Sequence, residues 1–228
     1  MIVTGSSLES CHKAQRMTED HPGVLFSTAG VHPHHASEFT RNTLESIRDL
    51  AGLEEVRAIG ETGLDFFRDF SPRPAQEKAF EQHMELAADL TMPLFLHERD
   101  SYPRFFEMLK SHRSHLNQVV VHCFTGDRAA LFAYLDLDCH IGITGWICDE
   151  RRGAHLIPLV SNIPTNRLMI ETDAPYLLPR NIEDKPRNRR NEPCYLPYVC
   201  RAVARATNRT ESEVAQQTTE TSRTFFDL

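Results

Sequence analysis

The sequence predicts an α/β fold, a TIM-type (β/α)8 barrel lacking its first strand, and three observations point there. Short runs rich in Val, Ile, Leu and Phe recur along the chain, stretches of helical periodicity separate them, and no glycine-rich phosphate fingerprint follows the first run. Strands alternating with helices leave two architectures, an open doubly wound sheet or a closed barrel. The open sheet would carry its phosphate-binding glycines after the first strand, and Thr4-Gly5-Ser6-Ser7 does not supply them.

In chain order the runs are Ile2–Thr4, Leu25–Val31, Val56–Gly60, Pro93–His97, Gln118–His122, His140–Thr144 and Arg167–Glu171. Each is short and apolar, as expected of parallel strands covered by helices on both faces. Between the third and fourth, Pro74–Leu90 repeats Ala79, Phe80, His83, Leu86, Ala87 and Leu90 near the helical period, with His83 a packing residue of the apolar face. A Pro- and Arg-rich loop from Ala174 to Pro193 follows the last run. Two helices come next, the second opened by a capping box of Thr210 and Glu213. The runs number seven, one short of a complete barrel, and the first begins at residue 2.

At 228 residues with 40% hydrophobic content, the chain can bury one substantial core, so a single domain over residues 1–228 is expected. It shows neither an apolar run of about eighteen residues nor a charged leader before an apolar segment, which predicts a soluble cytoplasmic protein with no membrane partner. A monomer is expected, with self-association promoted by the missing strand as the alternative. The six cysteines include no C-x-x-C pair and read as reduced thiols. A net charge of −7 excludes a generally adhesive nucleic-acid binder, since nonspecific affinity comes from Lys and Arg releasing counterions; a local basic patch is still compatible.

Chemistry enters at the ends of the runs. His32 follows Ser27–Val31, Glu61 follows Val56–Gly60, His97 closes Pro93–Leu96, His122 closes Gln118–Val121, and Asp173 follows Arg167–Thr172. A barrel gathers the C-terminal ends of its strands on one face, where such enzymes carry their active sites. Taken singly, a strand-end His is more often a hydrogen-bonded structural residue, and a strand-end carboxylate often caps the next helix. The five together predict a metal site, with one member free to orient a ligand rather than bind. Imidazoles and carboxylates suit zinc, manganese or magnesium, and a divalent ion held by them activates water and offsets charge on a phosphoryl oxygen. Hydrolysis of an anionic ester follows. His34, beside His32, is a further candidate or a solvated loop residue.

Basic residues cluster after the sixth run, at Arg151 and Arg152, and after the last, at Arg180, Lys185, Arg187, Arg189 and Arg190. They read either as contacts to nucleic-acid phosphates or as solvated charge. Trp146, Tyr176 and Phe66 could stack bases of a single strand, or belong to the core.

At these residues the sequence resembles the TatD deoxyribonuclease family of the metal-dependent hydrolase superfamily. The likeness runs from Ile2 to Phe226. It is carried by Ala29-Gly30-Val31-His32-Pro33-His34, by Gly60-Glu61-Thr62-Gly63-Leu64-Asp65-Phe66 and by Leu96-His97-Glu98-Arg99-Asp100. Val121-His122-Cys123-Phe124-Thr125-Gly126 and Glu171-Thr172-Asp173-Ala174-Pro175-Tyr176 continue it. Gly145-Trp146-Ile147-Cys148-Asp149-Glu150-Arg151-Arg152-Gly153 and Arg190-Asn191-Glu192-Pro193 resemble the bacterial branch. The resemblance implies a nuclease using one or two divalent ions, magnesium first, with manganese or zinc as alternatives. It implies Glu61, His97, His122 and Asp173 at the metal with His32 nearby, and catalytic roles for Glu61, Asp173 and His32. For the bacterial branch it implies 3′-to-5′ exonuclease action on single-stranded DNA, or RNA, linked to repair.

The sequence departs from the family at its N-terminus. Family members begin with a strand and helix ahead of the segment matching Ile2, a unit of about thirty residues, and many carry a His-x-His pair there. Two other readings remain: a hydrolase of an ester, lactone or amide on the same scaffold, and an inactive truncated homologue that only binds. No lysine stands at a candidate strand end, which disfavours the hydrolases that bridge two ions through one.

Overall fold

A computed structural model describes all residues, 1–228. The chain divides into two compact units, Met1–Val120 with Asp227, and Val121–Phe226 with Leu228. Strand order follows chain order throughout.

The first unit alternates strand and helix: β1 (Ile2–Val3), α1 (Leu8–Asp20), β2 (Phe26–Ala29), α2 (Arg41–Ala51), β3 (Val56–Asp65), α3 (Arg73–Leu90), β4 (Leu94–Arg99) and α4 (Tyr102–His112), then the start of β5 (Val119–Val121). β1 pairs with β2, β2 with β3 and β3 with β4, all parallel. Ser7 and Ser10 form a reciprocal cap at the start of α1, the Ser7 hydroxyl accepting from the Ser10 amide at 3.2 Å and Ser10 Oγ from the Ser7 amide at 2.8 Å. The short Gly-Ser segment therefore serves helix capping rather than phosphate binding. Ile59, Leu64, Leu94, Leu96, Phe80 and Phe105 are buried, the two rings stacking at 5.1 Å between α3 and α4.

β3 and β4 extend beyond the runs read from the sequence, to Asp65 and Arg99. Glycine permits this in β3. Gly60 and Gly63 have φ of 131° and 144°, and a Cβ at either would collide with the carbonyl oxygen of Phe95 or His97 on β4. A run of apolar residues interrupted by Gly60, Glu61 and Gly63 reads as ending, whereas close backbone approach continues the pairing through them.

The second unit holds α5 (Arg128–Asp136), β6 (His140–Ile143), α6 (Ile157–Val160), β7 (Leu168–Ile170), α7 (Leu196–Thr207) and α8 (Glu211–Phe226). β6 and β7 pair in parallel, Ile141 opposite Leu168. Leu131, Tyr134, Ile141, Leu168, Val199, Val203 and Phe225 are buried here. The expected capping box opens α8, the Thr210 amide donating to Glu213 Oε2 at 2.8 Å and the Glu213 amide to Thr210 Oγ1 at 3.2 Å. The Pro- and Arg-rich segment has no strand or α-helix, as expected. No helix is long and apolar enough to cross a membrane.

Candidate metal centre

Three of the sequence-derived candidates meet in the first unit. The donor atoms of His32, Glu61 and His97 lie within 4.8 Å of one another. Glu61 Oε1 stands 3.2 Å from His97 Nδ1 and 3.6 Å from His32 Nε2, and His32 and Glu61 are buried. The register explains the convergence. His97 lies opposite Gly63, with Glu61 two residues before that glycine and Asp65 two after, and no side chain between them. One imidazole therefore reaches a carboxylate with each nitrogen: Nδ1 faces Glu61, and Nε2 is 3.4 Å from Asp65 Oδ2.

Asp65 is the residue that sequence reasoning passed over. Its Oδ2 also pairs with His34 Nε2 at 2.8 Å, while Oδ1 accepts the amides of Phe67 and Arg68 at 3.0 and 2.7 Å. Burial alone would raise its pKa, but the bonds from His97, the Arg68 amide and His34 hold it below the usual carboxylate range. The available signal was its place in the Gly60-to-Phe66 segment, four residues after Glu61. His34 stands beside the cluster rather than in solvent, its ring 4.2 Å from that of His32 in an edge contact.

Backbone amides fix the tautomer of two of the rings here, His32 and His83, by donating to one nitrogen of each. His97 stands between two carboxylates, with Nε2 toward Asp65 and Nδ1 toward a Glu61 oxygen. An imidazole nitrogen and a carboxylate oxygen 3.2 Å apart are spaced as two ligands of one divalent ion would be, so this donor set fits a metal. His32 differs. Its Nδ1 accepts the His34 amide at 3.1 Å, which leaves the proton on Nε2, facing Glu61. The loop is fixed from behind: the Val31 amide donates to His83 Nε2 at 3.1 Å, and His83 Nδ1 donates to the Ala79 carbonyl at 2.7 Å. His83 is thus the packing residue expected on α3, and burial lowers its pKa to about 4.

His122 and Asp173 lie in the second unit. His122 follows β5, is buried, and has Nδ1 3.6 Å from Glu171 Oε2. Glu171 Oε1 accepts the Cys123 amide at 2.6 Å, and Asp173, two residues further on, has φ of 52°. Burial pushes the Cys123 thiol up to about 12, with Asp173 adding to the rise, so this sulfur is a poor nucleophile at neutral pH.

The basic candidates divide into two kinds. Arg151 and Arg152 both bond buried Asp149, at 3.2 Å from Arg151 Nη2 and 2.9 Å from Arg152 Nε, and Arg152 lies over Trp146 at 4.3 Å. Arg180 pairs with Glu150 at 2.7 Å. Arg187, Arg189 and Arg190 are exposed on the loop before α7, as is Tyr176. Phe66 is half-buried under Arg73 at 4.2 Å.

Comparison with known proteins adds to this geometry. Residues 1–227 match the family described as TatD related DNase. A protein of Rahnella sp. strain Y9602 named 3'-5' ssDNA/RNA exonuclease TatD is 50% identical over all of this chain and 87% of its own length. One of the same name from Pantoea vagans is 49% identical, with 88% of its length matched. A TatD family hydrolase from Entamoeba histolytica superposes with a TM-score of 0.87 at 25% identity, over 99% of this chain and 83% of that one. A TatD homologue from Escherichia coli K12 gives 0.89 at 24% identity, over 100% and 86%. The fold is that of the TIM-type barrels of the metal-dependent hydrolase superfamily, as the alternation of strands and helices predicts.

Proposed function

Because the chain belongs to the TatD related DNase family, we propose that it is a metal-dependent nuclease, a 3′-to-5′ exonuclease that hydrolyses phosphodiester bonds of single-stranded DNA and of RNA. The observation that supports this reading is the convergence of His32, Glu61 and His97, whose donor atoms lie within 4.8 Å of one another, with Glu61 3.2 Å from His97. Glu61 and His97 would hold a divalent cation, magnesium in the first instance. Bound there, the cation would supply Lewis acidity toward water and phosphate. Asp65 keeps His97 in the ligating tautomer, and His32 holds a proton on Nε2 that steadies Glu61. Asp173, which follows β7, would serve as a general base. Arg151, Arg152, Arg187, Arg189 and Arg190 bind backbone phosphates, which position the strand without reading its sequence. The names of the relatives from Rahnella and Pantoea support both the polarity and the single-stranded substrate.

The test is shortening of an end-labelled single-stranded DNA with magnesium or manganese, with EDTA and Asp173→Asn as controls. Metal-dependent loss of nucleotides from the 3′ end, abolished by the substitution, is the expected result. Folded, metal-loaded protein that leaves DNA and RNA intact would overturn the reading.

A further inference from the structure

Beside the candidate centre the chain exposes two phenylalanines. Phe67 and Phe70 are 56% and 66% exposed, on the turn between β3 and α3. The turn is tied to the site, because Asp65 accepts the Phe67 and Arg68 amides with the carboxylate that binds His34 and His97. Its other end is also fixed: Arg73 bonds Asp69 at 2.7 Å, and Ser71 donates to the His34 carbonyl at 3.0 Å. The Phe70 ring packs on His34 at 4.7 Å and so stands one imidazole away from His32. Phe67 lies between two guanidiniums, Arg68 at 5.5 Å and Arg99 at 5.1 Å.

We propose that Phe70 and Phe67 form a base-stacking platform that receives unpaired nucleobases next to the reacting phosphodiester, with Arg68 and Arg99 facing the backbone; this rests on the nuclease reading above. Large apolar rings are costly to leave in water on a rigid loop, and rings interleaved with cations match a strand that alternates flat bases with phosphates. A base can meet such a ring only when it has left its duplex. The platform therefore selects single strands irrespective of sequence, since every base has a π-face.

The test crosses two variants with two substrates. Oligothymidylate and the same chain with abasic residues at its 3′ end are compared on wild type, Phe70→Ala and Phe70→Trp, reading KM and kcat for shortening and Kd by fluorescence anisotropy. Phe70→Ala is expected to raise KM and Kd for oligothymidylate by roughly five- to a hundredfold while kcat holds. On the abasic strand it adds little, and Phe70→Trp restores tight binding. Equal losses on both substrates, or no loss on either, would overturn the platform. Absence of shortening by wild type overturns the nuclease reading instead, and the Kd comparison still decides the platform.

Discussion

Nε2 of His97 lies 3.4 Å from Oδ2 of Asp65, on the side of the imidazole opposite Glu61. Asp65 thus orients the ring whose other nitrogen faces Glu61. Removing such an orienting partner typically costs about 10- to 100-fold in metal affinity. Asp65→Ala is expected to weaken manganese binding by that factor in calorimetric titration, and Asp65→Asn, which retains an acceptor oxygen, by less. Unchanged affinity in Asp65→Ala would remove the orienting role.

Stability should fall in mild acid through His83. Its pKa is lowered by burial from 6.5 to about 4, so the folded state holds it neutral. Between those values the unfolded chain binds more protons. The contribution is complete above pH 6.5 and declines as pH falls toward 4, by about 3 kcal/mol in all. His83→Gln should flatten urea-unfolding stability across this window; a slope equal to that of wild type would assign the acid sensitivity elsewhere.

Gly63→Ala is expected to destabilise by about 3 kcal/mol or more, because its φ of 144° is unfavourable for an L-residue and the new methyl meets the His97 carbonyl. The measurement is the midpoint of urea unfolding. Since the displaced strand carries His97, metal affinity should fall with it. A variant of wild-type stability would show that β4 yields at little cost.

The exposed arginines give a salt signature. For single strands each phosphate neutralised contributes about 0.7 to the slope of log binding constant against log salt. Replacing Arg187, Arg189 and Arg190 together with Gln should lower the magnitude of that slope by about 2 if all three reach phosphates. An unaltered slope would return them to solvated charge.

Much of the fold was legible locally. The strand runs, the helix through Ala79 and Leu86, and the box at Thr210 and Glu213 are short-range patterns, and each appears where expected. The end of β3 was not legible, because Gly60 and Gly63 look like strand breakers until β4 is known to approach them. His32, Glu61 and His97 were readable as strand-end donors. His34 was readable only as one of two alternatives, and Asp65 and Phe70 were not readable, because their roles exist only across β3, β4 and the loop after β2.

By itself the sequence determined the alternation of strand and helix, and which side chains of metal-ligand type stand at the strand ends, because hydrophobic periodicity and side-chain type are local properties. Only the tertiary structure decided which nitrogen of His32 and of His83 carries the proton, and which carboxylate each side of His97 meets. Those assignments depend on distances of about 3 Å between residues far apart in the chain, and hydrogen bonds at that range have no counterpart in sequence spacing.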